Sequence, residues 1–150
     1  VLLFLHCDTR LPPDAARRVR EALARGCLWG WFDLRLDARG AAYRVVERMI
    51  NLRARASGIA TGDQAMFVLR RVFEQQRGFA GIALMEDVEM SHRLKRLGRP
   101  GRIAQAALTS ARRWRRHGLA RTIWLMWKLR FQYWRGARPD ALATRYRDAR

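Results

Sequence analysis

The sequence predicts an α/β fold, a layered sheet flanked by helices, and three observations carry that prediction. The chain opens on an apolar, β-leaning run, Val1 to Leu5, of the kind buried in a sheet. The tract around Phe32, Leu34 and Leu36 alternates apolar with polar residues, which fits a strand with one buried face. Helical spacings lie between and beyond these tracts: Val19, Ala22 and Leu23 in one segment, Val46, Met49, Ile50 and Leu52 in another. Strands that alternate with helices argue for a layered sheet rather than a bundle or a sandwich.

The elements follow in order. The first helix comes after Pro12 and Pro13 and stops at Gly26, because glycine best tolerates the turn that ends a helix. The second reads from Tyr43 to Arg55 and ends near Ser57 and Gly58. A Gly-rich loop through Gly62, Asp63 and Gln64 leads into a short strand, Ala65 to Leu69, and a short helix. An acidic helix begins near Glu86, a strand is expected from Arg102 to Thr109, and the last third is helix-rich. No internal repeat or low-complexity linker is visible. At 150 residues one domain with its own core is the ordinary outcome. The opening run enters a strand at once with no initiator methionine, so the chain reads as lacking an N-terminal part.

A formal net charge of +18 and a pI near 11.7 point by themselves to nucleic acid or an anionic membrane. Only Lys95 and Lys128 are lysines, so 31 basic residues less 2 leaves 29 arginines. So lopsided a ratio suggests base-composition pressure and a solvated arginine surface. Cys7 and Cys27 are too few for a disulfide scaffold and have no zinc spacing, which places the chain in a reducing, cytoplasmic setting. The apolar opening has no basic leader and no cleavage site, so no secretory targeting follows.

Against that charge, Glu86, Asp87 and Glu89 stand out as three of only 13 acidic residues. Acids in a first helical turn oppose the positive end of the helix dipole, worth about 0.3–1 kcal/mol each. That plain reading suits Glu89, and it competes with a chemical role for the other two. Ligands of α/β sheets sit at the carboxyl ends of strands. His6, Cys7, Asp8 and Thr9 fall where the first strand is expected to end, so they, the loop Gly62 to Gln64 and the pair Glu86–Asp87 can face one crevice.

Taken in order, FLHCDTRLP, GIATGDQAMFVLRR, LMEDVEMSHRLKRLGRP and TSARRW resemble the second half of a family 2 glycosyltransferase with the GT-A fold. The bacterial branch whose acidic metal motif reads His-x-Asp-Thr is the most similar, and the resemblance covers Val1 to Tyr146. It implies an N-terminally truncated GT-A layered sheet over residues 1–118, the C-terminal part of the transferase domain. Residues 119–150 then form a helical, aromatic and basic extension.

The same resemblance implies an inverting transfer from a nucleotide-diphosphate sugar to a hydroxyl acceptor. Asp8 matches the carboxylate that holds Mg²⁺ or Mn²⁺ and the diphosphate, a shell needing few protein ligands. His6 stands where the motif's first acid usually stands, and its alternatives are ligation or an ordinary hydrogen bond. Asp87 matches the general base that takes the acceptor's proton, a role worth about 10²- to 10⁴-fold, with Glu86 as an acceptor-orienting or helix-start neighbour. Gly62, Asp63 and Gln64 match the acceptor loop, although glycines there also serve as simple turn residues. Arg112, Arg113 and Trp114 match a donor-side tract suited to a departing diphosphate.

The last third concentrates Ile123, Trp124, Leu125, Met126, Trp127, Leu129, Phe131, Tyr133 and Trp134 between cations. It is too short and too charged to span a membrane. An interfacial helix over 119–134 fits, with peripheral contact at the inner membrane face and a lipid-linked acceptor; packing against the sheet or another part of the protein fits equally. Base stacking is the weaker idea, since no recognition motif accompanies the aromatics, and no specific nucleic acid is expected. Two competing expectations stand beside the transferase: a basic binding module for nucleic acid or anionic lipid, and an inactive transferase fragment.

Overall fold

The computed structural model describes residues 1–148. Its centre is β3 (Trp29–Leu36), in which only Arg35 is exposed. The alternation around Phe32 predicted one buried face, yet both faces are covered. Trp29 and Trp31 pack with Met66, Val68, Met90 and Leu94, while Phe32 packs with Val19, Ala22, Ile103 and Ala107. The polar residue that suggested a wet face, Asp33, is 7% exposed and is neutralised by Arg102, whose Nε donates to Oδ1 at 2.8 Å. Burial of a charge is tolerated when such a partner satisfies it.

The sheet is mixed, in the order β1-β4-β3-β5-β2. β5 (Gly101–Thr109) runs parallel to β3, with a register break between Phe32 and Asp33. β4 (Phe67–Val68) pairs antiparallel with β3, β1 (Leu2–Leu3) antiparallel with β4, and β2 (Thr9–Arg10) antiparallel with β5. The strand expected over 65–69 is thus two residues long. The opening run also differs from expectation: it pairs only at Leu2–Leu3 and through Phe4 N–H to Met66 O at 2.8 Å. His6 to Asp8 then form a turn closed by Thr9 N–H donating to His6 O at 3.0 Å. Because β1 and β2 are the two edges, this short turn joins them directly and the sheet must curl.

β4 covers only Trp29 and Gly30 of β3, so the rest of that edge needs other partners. They come from α2 (Ala41–Ser57). Asn51 accepts from Leu34 N–H at 2.8 Å and donates to Leu34 O at 3.0 Å, and the buried Glu47 accepts from Leu36 N–H at 2.6 Å. Helix α1 (Ala15–Ala24) packs Val19 and Ala22 on the sheet, and Gly26 at φ +88° ends it as the sequence predicts. The remaining helices are α3 (Arg70–Gln75), α4 (Glu86–Lys95), α5 (Arg112–His117), α6 (Leu119–Trp134) and α7 (Pro139–Asp148). Leu129 of α6 and Leu142 of α7 are buried against Ile59, Met85 and Val88, so the C-terminal helices brace the start of the acidic helix. Among the described residues no helix is long and apolar enough to cross a membrane.

Candidate active site

The three acids of α4 meet different fates. Glu89 pairs with Arg93 at 2.6 Å, and Arg93 in turn reaches the carbonyl of Gly78 at 2.8 Å, so this acid ties the helix to the loop before it. Glu86 is half-buried and makes no ion pair among the described residues. Asp87 turns inward. Its Oδ2 accepts from Gly62 N–H at 2.8 Å and its Oδ1 from Val88 N–H at 2.7 Å. Neighbours crowd the group, although part of its surface still reaches solvent. Burial pushes its pKa above the ordinary 3.8, and Glu86 adds to that push. The two amide donors and Arg130 pull the other way.

Gly62 opens a short 3-10 turn, Gly62–Gln64, on the far side of that hydrogen bond. Thr61 and Gln64 cap it reciprocally: Gln64 Oε1 accepts from Thr61 N–H and from Thr61 Oγ1, each at 3.2 Å. Gln64 is fully buried, so its amide builds the loop. His6 crosses over from the β1–β2 turn. Its Nε2 lies so close to Gly62 that a Cβ there would stand 2.2 Å away, while Nδ1 sits 3.1 Å from Asp63 Oδ1. The hydrogen bond that His6 Nδ1–H donates to Asp63 raises the His6 pKa above 6.5; burial opposes it, and the charges of Asp63, Asp8 and Asp87 reinforce it. His6, Gly62, Asp63 and Asp87 are therefore neighbours in one cluster, with the exposed Asp8 within electrostatic reach of His6.

Two cations face these acids. Arg53 of α2 donates to Ile59 O at 3.3 Å and lies 3.4 Å from Gln64 Oε1. Its pKa is lowered to about 10, first by burial and then by the charge of Arg130, with Asp87 and Asp63 opposing both. Arg130 of α6 is held down by burial and drawn up by the same two acids. The tract Arg112, Arg113 and Trp114 lies elsewhere. Arg113 points to Met126 Sδ at 3.9 Å and stacks 5.0 Å over the Tyr146 ring. Arg112 is exposed, and Trp114 packs beside Leu34, Leu36 and Val46. Among the described residues none of the three is hydrogen-bonded or ion-paired to Asp8, Asp63, Glu86 or Asp87.

Among the described residues, two of the three non-glycine residues at positive φ flank this cluster; the third, Arg77 at φ +60°, follows α3. Ala65, at φ +48°, follows Gln64 directly, and Met85, at φ +70°, precedes Glu86. Residues with side chains avoid this left-handed region, and where they adopt it at roughly 1–3 kcal/mol each, the site is often functional.

No family model, curated protein or solved structure matches this chain. Among the described residues, no group of three or more His, Cys, Asp or Glu side chains could hold a metal ion by itself. What Asp8 offers is one solvent-facing carboxylate, which fits Mg²⁺ or Mn²⁺ when substrate phosphates and water complete the shell. Sequence reasoning passed over Arg53 and Arg130, because among 29 arginines neither stands in a motif. One usable signal existed for Arg53: it shares the helical face of Ile50 and Ala54, the inward side of α2.

Proposed function

We propose that this chain carries the acceptor-activating part of an inverting sugar transferase of the GT-A type, acting on a nucleotide-diphosphate sugar. The single observation that carries the reading is Asp87, an inward carboxylate with a raised pKa, positioned by a backbone amide beside the His6–Asp63 pair. A hydroxyl is a weak nucleophile at neutral pH, and a base within hydrogen-bond reach removes that handicap. The acceptor oxygen forms its bond to the anomeric carbon, its proton passes to Asp87, and the bond from that carbon to the diphosphate oxygen breaks with its electron pair. Each Asp87 oxygen accepts one N–H and keeps a second lone pair for the incoming proton.

The leaving diphosphate gathers negative charge. Arg53 and Arg130 answer that charge from beside the base, and guanidinium groups suit phosphate oxygens by geometry as well as charge. Their position supports them over Arg112 and Arg113 for this role. Asp8 is the residue that would hold a divalent cation, which when bound supplies Lewis-acid neutralisation of the diphosphate.

The test is nucleotide release by the full-length protein against a panel of nucleotide-diphosphate sugars with Mg²⁺ or Mn²⁺. Asp87→Asn is expected to lower turnover by about 10²- to 10⁴-fold while donor affinity stays intact. Undiminished turnover in that variant removes Asp87 as the base and the proposal with it.

A further inference from the structure

Helix α6 has two unlike sides. One buries Leu129 and Thr122, at 1% and 2% exposure. The other shows Trp124, Trp127, Phe131 and Trp134 to solvent at 62%, 65%, 55% and 80%. Steps of three, four and three residues align these four rings in one stripe along the helix. Scattered exposed hydrophobics are ordinary, but a contiguous aromatic stripe marks an interaction surface.

The chemistry beside the stripe narrows the partner. Lys128 stands 4.6 Å over the Trp124 ring and Arg135 5.8 Å over the Phe131 ring, and Arg145 of α7 lines the same open hollow. The helix carries no Asp or Glu in its 16 residues, so nothing in it repels an anion. Tryptophans are enriched at the headgroup level of a bilayer, and cations beside them pair with acidic headgroups.

We propose that the outer side of α6 docks on an anionic membrane surface, with Trp124, Trp127, Phe131 and Trp134 entering the interfacial layer and Lys128 and Arg135 meeting acidic headgroups. The helix lies in the plane of the surface. Arg130, on the same helix, lies within electrostatic reach of Asp87, so a docked α6 brings that acid near the surface. The docking is independent of the transferase reading and is tested without activity.

The experiment is co-sedimentation of the full-length protein with vesicles of phosphatidylglycerol and phosphatidylcholine, compared with phosphatidylcholine alone. A chain of net charge +18 is drawn to any anionic surface, so salt is the discriminating variable: charge-only attachment is lost as screening rises, while inserted aromatics persist. The expected result is binding to the anionic vesicles that survives high salt and falls at least about tenfold in a Trp127→Ser, Trp134→Ser variant with an unchanged thermal midpoint. Brominated lipid should quench wild-type fluorescence and quench the variant less, since Trp29 and Trp31 are buried. Equal binding by variant and wild type in high salt overturns the proposal. So does loss in the variant of a dimer or of single-stranded RNA binding with vesicle binding unchanged, for then a second copy or stacked bases occupy the stripe.

Discussion

The His6 ring rests against the α-carbon of Gly62: a Cβ built there would meet Nε2 at 2.2 Å and Cε1 at 2.7 Å. The same glycine donates its N–H to Asp87, so one residue without a side chain joins the β1–β2 turn to the acidic helix. Gly62→Ala must displace His6. That ring is about half exposed and can swing aside, so the stability cost is expected at about 1 kcal/mol by urea denaturation. The local cost is larger, because a displaced ring loses Asp63. The His6 pKa, raised by that partner, should fall toward 6.5 in an NMR titration. An unchanged titration in the alanine variant means that the contact does not hold His6 in place.

Asp87 gives a prediction with a definite sign. Its folded pKa lies above 3.8, so the folded protein favours the protonated form. The stability this group contributes is complete below pH 3.8 and is lost as pH rises through the raised value. Asp87→Asn removes the titration, so the stability difference should move in the variant's favour as pH climbs from 3.8 toward neutrality. In the proposed role as base, Asp87 works only when ionised, so activity runs the opposite way: the acid limb of kcat/KM should lie above the ordinary carboxylate range. Parallel stability curves for variant and wild type across that window exclude a raised pKa.

Much of this arrangement was legible in the sequence, and what escaped did so for identifiable reasons. Helix starts and stops at Gly26 and near Gly58 are encoded locally, and α2 runs only a few residues beyond the expected Tyr43 to Arg55. β3 was misread as half-exposed because its polar member, Asp33, is satisfied by Arg102 from 69 positions away, which no periodicity reveals. The break of the opening strand at Leu3 reflects the curl that lets a short turn join the two edges, a property of all five strands together. His6, Gly62, Asp63 and Asp87 sit in motifs that the sequence already singles out, and the fold makes them neighbours, whereas Arg53 and Arg130 are brought in by packing of α2 and α6.

Arg130 should tune the titration of Asp87. Its charge lowers the Asp87 pKa against the push of burial. Arg130→Met keeps a long side chain beside Leu129 and removes the charge, so the Asp87 pKa should rise further and the acid limb of the pH–rate profile should shift upward. The more exposed Arg112 gives the control, since Arg112→Met leaves that limb where it is. An unmoved limb in the Arg130 variant would show that this guanidinium is not coupled to Asp87.

Gly30 and Gly62 make a matched pair in which the nature of the neighbour decides the outcome. At Gly30 a Cβ would lie 1.9 Å from Gly101 O and 2.5 Å from Phe67 Cζ, where β3, β4 and β5 come closest. Neither obstacle can yield: one is sheet backbone and the other a fully buried ring. Gly30→Ala is therefore expected to cost about 3 kcal/mol or more in denaturant unfolding, at the upper end for overpacked cores. Gly81→Ala, with nothing within 4 Å of the added carbon, should stay within about 0.5 kcal/mol of wild type. If Gly30→Ala proves as mild as Gly81→Ala, the close parallel pairing of β3 with β5 is wrong at its first rung, Gly30 with Gly101.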